Sequence, residues 1–186
     1  MALVGTSQSI YNMSATLGEE ARDYSGVTPY WRGLIWTTMD TGTGDLSRLT
    51  VSAHSATYID SPAYFIPDCE TLDSRCVMDF ILIPLVVEIE DNEAIRPYEM
   101  KNLHIKPTDA LLFETENSRH GCGRSGVLSE DFVYLTLDAA DLRIGKGAVL
   151  VGIHCVAIER WGDDVFPVHH KLLANNRLLL EGINLG

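Results

Sequence analysis

His54-Ser55-Ala56-Thr57-Tyr58-Ile59-Asp60-Ser61-Pro62-Ala63-Tyr64-Phe65 is the densest run of chemically able side chains in the sequence. It follows an alternating apolar and polar stretch, Leu49 to Ala53, that reads as a strand, and it runs into a proline turn. Positions 54, 58, 60 and 64 share a parity, so in one extended strand they line one face. A face carrying His, Tyr, Asp and Tyr is not a core face. On residue types alone it is either a solvated face with ordinary hydrogen bonds or the wall of a site. A second constellation, His169-His170 followed by Glu181, is equally neutral by itself.

Working outward, the first 30 residues are polar and read as extended and loop-like. Leu34 to Met39 is a short apolar stretch. Phe80 to Glu90 is β-branched and suits a buried strand, while its Pro84 argues for an edge or a bulge. Arg96 to Leu103 predicts a short helix and Ala110 to Glu114 a strand. Residues 115 to 129 make a glycine-rich polar loop of a length that is often functional. Leu137 to Ile144 predicts a helix closed by Gly145-Lys146-Gly147. Ala148 to Ile158 predicts a second buried strand. Pro167 to Asn175 predicts a helix begun by proline, and Arg177 to Glu181 a last strand. Helices and strands mix in an α/β manner, with too few βαβ repeats for a full doubly wound sheet. No linker or repeat divides residues 1–186, which read as one domain.

The bulk numbers narrow the function classes. With 46% hydrophobic and 22% charged residues the 186-residue chain is globular. A net charge of −12 disfavours nucleic acid, because no basic excess is present to displace counterions. The longest apolar run, Phe80 to Val87, falls far short of a bilayer span, and Met-Ala-Leu-Val-Gly-Thr does not open as a signal peptide. A cytoplasmic protein with reduced thiols is expected. Cys155 belongs to the core, and Cys122 is the one thiol placed where chemistry is conceivable.

The segment from His54 to Tyr64 resembles the HxGTHxDxPxH motif of the cyclase/kynurenine formamidase family of metal-dependent hydrolases. Further landmarks follow in family order. Ser7-Gln8-Ser9-Ile10 resembles its opening strand, Asp109-Ala110-Leu111-Leu112 its GDxLL segment, and Val151-Gly152-Ile153 its VGID strand. Phe166-Pro167-Val168-His169, with Glu181 twelve residues after His169, is similar to its late LPxH…E pair. The resemblance implies a swivelling β/β/α fold, a homo-oligomer and divalent metal that activates water against an amide or lactone carbonyl. Carried over by position, His54, Asp60, His169 and Glu181 are site residues. Tyr58 and Tyr64 stand where the motif has histidine, Ala56 where it has glycine, and His154 where an aspartate would follow Gly152-Ile153. With Tyr58 in place one metal position keeps two good ligands. The other keeps Asp60, His169 and Glu181, so the resemblance implies either no metal or one divalent metal, zinc or manganese.

Three readings of the site follow. In the first, a divergent member uses acid–base chemistry on a small carbonyl substrate (an amide, a lactone or a polyketide-like compound) for ring closure or opening, dehydration or isomerisation. There Asp60, His169 or Glu181 moves protons, and Tyr58 and Tyr64 donate to a developing oxyanion. The second is a metal-dependent amide or lactone hydrolase of the kynurenine formamidase type. The third is a non-catalytic protein that binds a small molecule. Arg119 and His120, in the long loop, are candidate substrate-binding residues. His154 is expected to serve the core. Pro84 and the short tail after Glu181 should leave surface for a second copy, so a homodimer or higher homo-oligomer is expected.

Overall fold

The computed structural model describes residues 11–18, 28–119, 130–142 and 147–185. Nine strands occur among them: β1 (Trp31–Trp36), β2 (Leu46–Thr50), β3 (Tyr58–Asp60), β4 (Ile83–Glu88), β5 (Ala94–Ile95), β6 (Asp109–Glu114), β7 (Tyr134–Leu135), β8 (Leu150–Ile153) and β9 (Leu178–Glu181). The α-helices are α1 (Thr38–Thr41), α2 (Glu116–Arg119), α3 (Leu137–Leu142) and α4 (Pro167–Ala174). Five strands form the main sheet in the order β3-β9-β8-β6-β4. Strands β4, β6, β8 and β9 are parallel, and β3 closes one edge antiparallel to β9.

Side-chain alternation splits this sheet between two cores. Leu111, Phe113, Val151, Ile153 and Leu179 point to the side carrying α3 and α4, where they meet Ala139, Ala140, Val168, Leu172 and Leu173. Their neighbours Ala110, Leu112, Leu150 and Leu178 face the other side, against Met13, Ile183 and Leu185. Strands β6 and β8 are therefore apolar on both faces, as enclosed parallel strands are.

Several expectations change in detail. The Phe80–Glu90 run shortens to β4, and Pro84 sits on an edge strand whose outer residues Ile83 and Val86 are exposed rather than buried. Arg96 to Leu103 yields a 3₁₀ turn, Pro97–Met100, in place of a helix. The Ala148–Ile158 run leaves the sheet after Ile153, yet His154, Cys155, Ala157 and Ile158 stay buried. That stretch wraps over the end of β9 and lends it backbone groups. Among the described residues strands β1 and β2 pair only with each other, and Trp31, Leu34, Ile35, Trp36 and Leu49 lie exposed on that ribbon. The expected features at Ser7–Ile10, His120 and Cys122 lie outside the described residues. No helix among the described residues is long and apolar enough to cross a membrane.

A tight approach between two backbones sets β3 against β9. Ala56 adopts a left-handed φ of 63°, and Gly182, just past β9, a φ of 68°. The Gly182 N–H donates to Cys155 O at 2.7 Å, and its carbonyl accepts from Thr57 Oγ1 at 2.6 Å. A Cβ on Gly182 would overlap the Ala56 carbonyl oxygen. We expect Gly182→Ala to cost at least about 2 kcal/mol in urea unfolding, from the left-handed conformation and the overlap together. Ala56→Gly should stay within about 0.5 kcal/mol of the parent, because relief of the left-handed strain offsets the lost methyl and the added chain entropy. Equal losses in the two variants would contradict this account of the approach.

Candidate active site

In the antiparallel pair, Tyr58 stands opposite Glu181 and Asp60 opposite Leu179. All four therefore face α3 and α4, while Ile59 and Leu180 face the other core. Helix α4 is the connection between β8 and β9, and His169, its third residue, comes to the carboxyl end of those strands. That end is where α/β sheets ordinarily assemble sites. His54 and Tyr64 arrive by different means: His54 on the turn before β3, Tyr64 on a 3₁₀ turn begun by Pro62. The shared-parity reading holds for positions 58 and 60 alone, since the strand spans only Tyr58 to Asp60.

The residues converge. One ligand atom each from Asp60, His169 and Glu181 lies within 4.8 Å of the others, and all three side chains are buried. His169 Nε2 is 3.4 Å from Glu181 Oε1, and His54 Nδ1 is 3.4 Å from Asp60 Oδ1. Glu181 is held from two sides. Its Oε1 accepts from the Ile158 N–H at 2.7 Å, and its Oε2 lies 2.6 Å from the Tyr58 hydroxyl. That hydroxyl also lies 2.7 Å from the Val156 carbonyl. Two acceptors thus divide the one phenol proton, and Tyr58 braces Glu181. Tyr64 is half exposed and stacks beside His54 with ring centres 4.5 Å apart.

Burial governs the electrostatics. Desolvation raises the Asp60 carboxyl to about 7, the Glu181 charge adds to the rise, and His169 opposes it. Burial works against an imidazolium at His169, but hydrogen bonds to Glu159 and Glu181 and their charges outweigh it, lifting the group to about 10. Desolvation lowers His54, with Glu181 and His169 pulling in opposite directions. Tyr58 is pushed far up, first by burial and then by Glu181, and stays a neutral phenol.

Glu159 is the residue that sequence reasoning missed. It is buried, its Oε2 lies 2.9 Å from His169 Nδ1, and it accepts the backbone N–H groups of Val168 and His169 at 3.1 Å each. Two signals point to it in retrospect: a lone acid directly after the apolar run ending at Ile158, and a helix begun by Phe166-Pro167 with no capping side chain of its own. Phe65 and Phe166 were also missed. Both pack on His169, at ring-centre distances of 5.1 and 5.8 Å.

The donor set fits one divalent ion. Asp60 Oδ2 is buried and has no hydrogen-bond partner, although a carboxylate oxygen in that position needs one. With Nδ1 turned to Glu159, His169 presents Nε2 to Asp60 and Glu181, the arrangement usual for a metal-bound imidazole. Two carboxylates and an imidazole are donor types that such an ion takes. Arg119 is not brought to this cluster. Its guanidinium donates to Glu88 at 2.9 Å and Glu116 at 3.2 Å, beside the β4 edge. That edge is three strand spacings, about 14 Å, from β9. His154 is buried and its Nδ1 accepts from the Leu185 N–H at 3.4 Å.

A family model described as putative cyclase matches residues 11–160. That match ends before His169 and Glu181, whose placement rests on the geometry above. A kynurenine formamidase from Bacillus mycoides (strain KBAB4) is 26% identical over 180 residues, covering 97% of this chain and 84% of that protein. One from Bacillus anthracis is 24% identical over 174 residues, covering 94% and 81%. A solved structure described as a potential metal-dependent hydrolase with cyclase activity superposes with a TM-score of 0.76 at 23% identity, over 94% of this chain and 81% of the other. An isatin hydrolase bound to the product analogue thioisatinate gives 0.78 at 16% identity, over 94% and 79%. These two likenesses establish the fold, and the α/β fold expected from the motifs is theirs.

The raised pKa values have a consequence for metal-free protein. Folded His169 keeps its proton to about 10, whereas an unfolded imidazole releases it near 6.5. Its stabilisation is therefore whole below about pH 6.5 and lost as pH rises through about 10. Asp60 acts with the same sign, since its folded value of about 7 exceeds the ordinary 3.8. The urea midpoint of chelator-treated protein should fall as pH rises from about 5 to about 10. A midpoint that climbs over that range would show that these protonations are absent.

Proposed function

The chain belongs to the putative cyclase family, and on that premise we propose that it is a one-metal hydrolase of a small carbonyl compound, opening an amide, lactam or lactone bond. The observation that carries this reading is the orphaned Asp60 Oδ2 beside His169 Nε2 and Glu181, three buried donors with room for a cation and no cationic side chain among them but histidine. A divalent ion held by Asp60, His169 and Glu181 supplies Lewis acidity toward a carbonyl oxygen and lowers the pKa of water beside it.

The chain's own residues supply the rest. His54 is depressed in pKa by burial and is therefore neutral near pH 7, free to accept a proton through a ring nitrogen. It is only partly buried, stands between Asp60 and the half-exposed Tyr64, and so faces the open side of the cluster. Tyr58 and the Ile158 N–H fix both oxygens of Glu181, so that carboxylate does not swing during turnover. Phe65 and Phe166 cover His169 and shield the cluster from water on that side. Kynurenine formamidases among the relatives make an aryl amide a natural first substrate to try.

A second reading, acid–base chemistry without metal, draws on the same pKa shifts. In that reading His169 is an imidazolium between Glu159 and Glu181, and Asp60 holds a proton up to about 7. Chelation separates the two. Hydrolysis of an aryl amide panel should vanish after dialysis against a strong chelator and return with zinc or manganese, and Asp60→Asn should lower kcat/KM by more than about 100-fold. Turnover that survives chelation but not Asp60→Asn would overturn the metal reading in favour of the second.

The expected assembly belongs to the same reading. The apolar β1–β2 ribbon and the exposed β4 residues Ile83 and Val86 support a homodimer. Light scattering at micromolar concentration should give twice 20.6 kDa, and a 20.6 kDa particle would refute association.

A further inference from the structure

Helix α4 lacks a cap of its own. The residue before Pro167 is Phe166, in a left-handed conformation with a φ of 46°, and no side chain in the local sequence accepts a hydrogen bond from the first turn. Proline at the first position removes one of the orphan N–H groups, but those of Val168 and His169 still need acceptors. Both are buried, so water cannot serve them cheaply. Glu159, seven residues upstream of Phe166, meets both. The negative carboxylate also lies at the positive end of the helix dipole.

The same carboxylate meets His169 Nδ1 at 2.9 Å. A neutral imidazole bonded there through Nδ1–H has its lone pair on Nε2, the atom 3.4 Å from Glu181 and grouped with Asp60. We infer that Glu159 is a positioning residue that fixes the tautomer and ring orientation of His169 through the same carboxylate that caps α4. Glu159 holds Nδ1 at 2.9 Å, while Nε2 faces Glu181 at the longer distance of 3.4 Å. The main-chain bonds seat the carboxylate relative to the helix, and the seated carboxylate then seats the ring. Orientation of the ligand is thereby inherited from the helix start and does not depend on the imidazole finding its rotamer by packing alone. Phe65 and Phe166, which flank the ring, limit its tilt without choosing its tautomer.

The inference rests on the metal-supported reading, and its test separates the two. Glu159→Gln keeps volume and one acceptor oxygen, so the helix start retains a partner. Leu173→Ala loosens the same helix from its core side without touching the cluster. Zinc binding is measured by competition with a chromophoric chelator, thermal melting is recorded in parallel, and the Nδ1 proton of His169 is followed by NMR in isotope-labelled protein. The parent should bind zinc and show a low-field, slowly exchanging Nδ1 proton. Glu159→Gln should weaken zinc binding about 10- to 100-fold and shift or broaden that proton. Leu173→Ala should lower the melting temperature while leaving zinc affinity within about threefold. If Glu159→Gln melts earlier but binds zinc as the parent does, Glu159 is a helix cap only and the inference is overturned. If the parent takes up neither zinc nor manganese, the hydrolase reading fails by itself. The positioning role then stands or falls on the proton resonance, and an unchanged signal in Glu159→Gln overturns it.

Discussion

Three carboxylates, Asp60, Glu159 and Glu181, are buried around one buried imidazole, and in the described ion pairs their cationic partners are histidines alone. Removing a carboxylate from water is expensive unless the charge is neutralised or fully hydrogen-bonded. The surrounding structure reads as a set of answers to that constraint. Glu159 is answered by two helix N–H groups and a ring nitrogen. Glu181 is answered by the Ile158 N–H and the Tyr58 hydroxyl. Asp60 is answered least, with one oxygen near His54 and the other without a partner, and it is the group whose pKa is driven up. A cation or a proton must complete it. The two candidate chemistries differ only in which of these arrives.

The fold meets the constraint through strand direction. Because β3 runs antiparallel to β9, Tyr58 and Glu181 become cross-strand partners at the carboxyl end of β9, where the helix β8–α4–β9 connection also delivers His169. The buried run 154–158 is part of the same arrangement. It leaves the ladder after Ile153, so its backbone groups at Val156 and Ile158 are free to bond Tyr58 and Glu181.

Much of this was legible in the sequence. Period-two alternation and apolar runs marked β6, β8 and β9, and Pro167 with Asn175 marked both ends of α4. Pro84 marked β4 as an edge, a local fact about a missing N–H. The site histidines and acids were legible only as landmarks in order, since residues as distant as Asp60 and Glu181 meet through sheet pairing that no local pattern encodes. Glu159 escaped because a lone acid after an apolar run looks like the first surface residue of a loop. Arg119 is a different case. A basic residue in a polar loop suggests a ligand, yet its geometry is settled by Glu88, an edge-strand residue about 30 positions earlier. Long-range charge pairing is what sequence periodicity does not carry.

The tyrosine at position 58 bears on how many cations the cluster needs. A neutral phenol gives Glu181 a short hydrogen bond without adding positive charge, and burial beside carboxylates keeps its proton in place across the ordinary pH range. A histidine there would bring a second nitrogen donor beside His54 and Asp60 and favour a second ion. With the phenol, Glu181 is already compensated on one oxygen, and the uncompensated charge concentrates on Asp60. On the proposed one-metal reading, one cation facing Asp60, His169 and Glu181 would balance that remainder. A second would face only His54 and an already shared Asp60, with Tyr58 filling the space. The departure from the motif at this position thus follows the same charge accounting as the rest of the site, and it argues for one ion where the unaltered motif supports two.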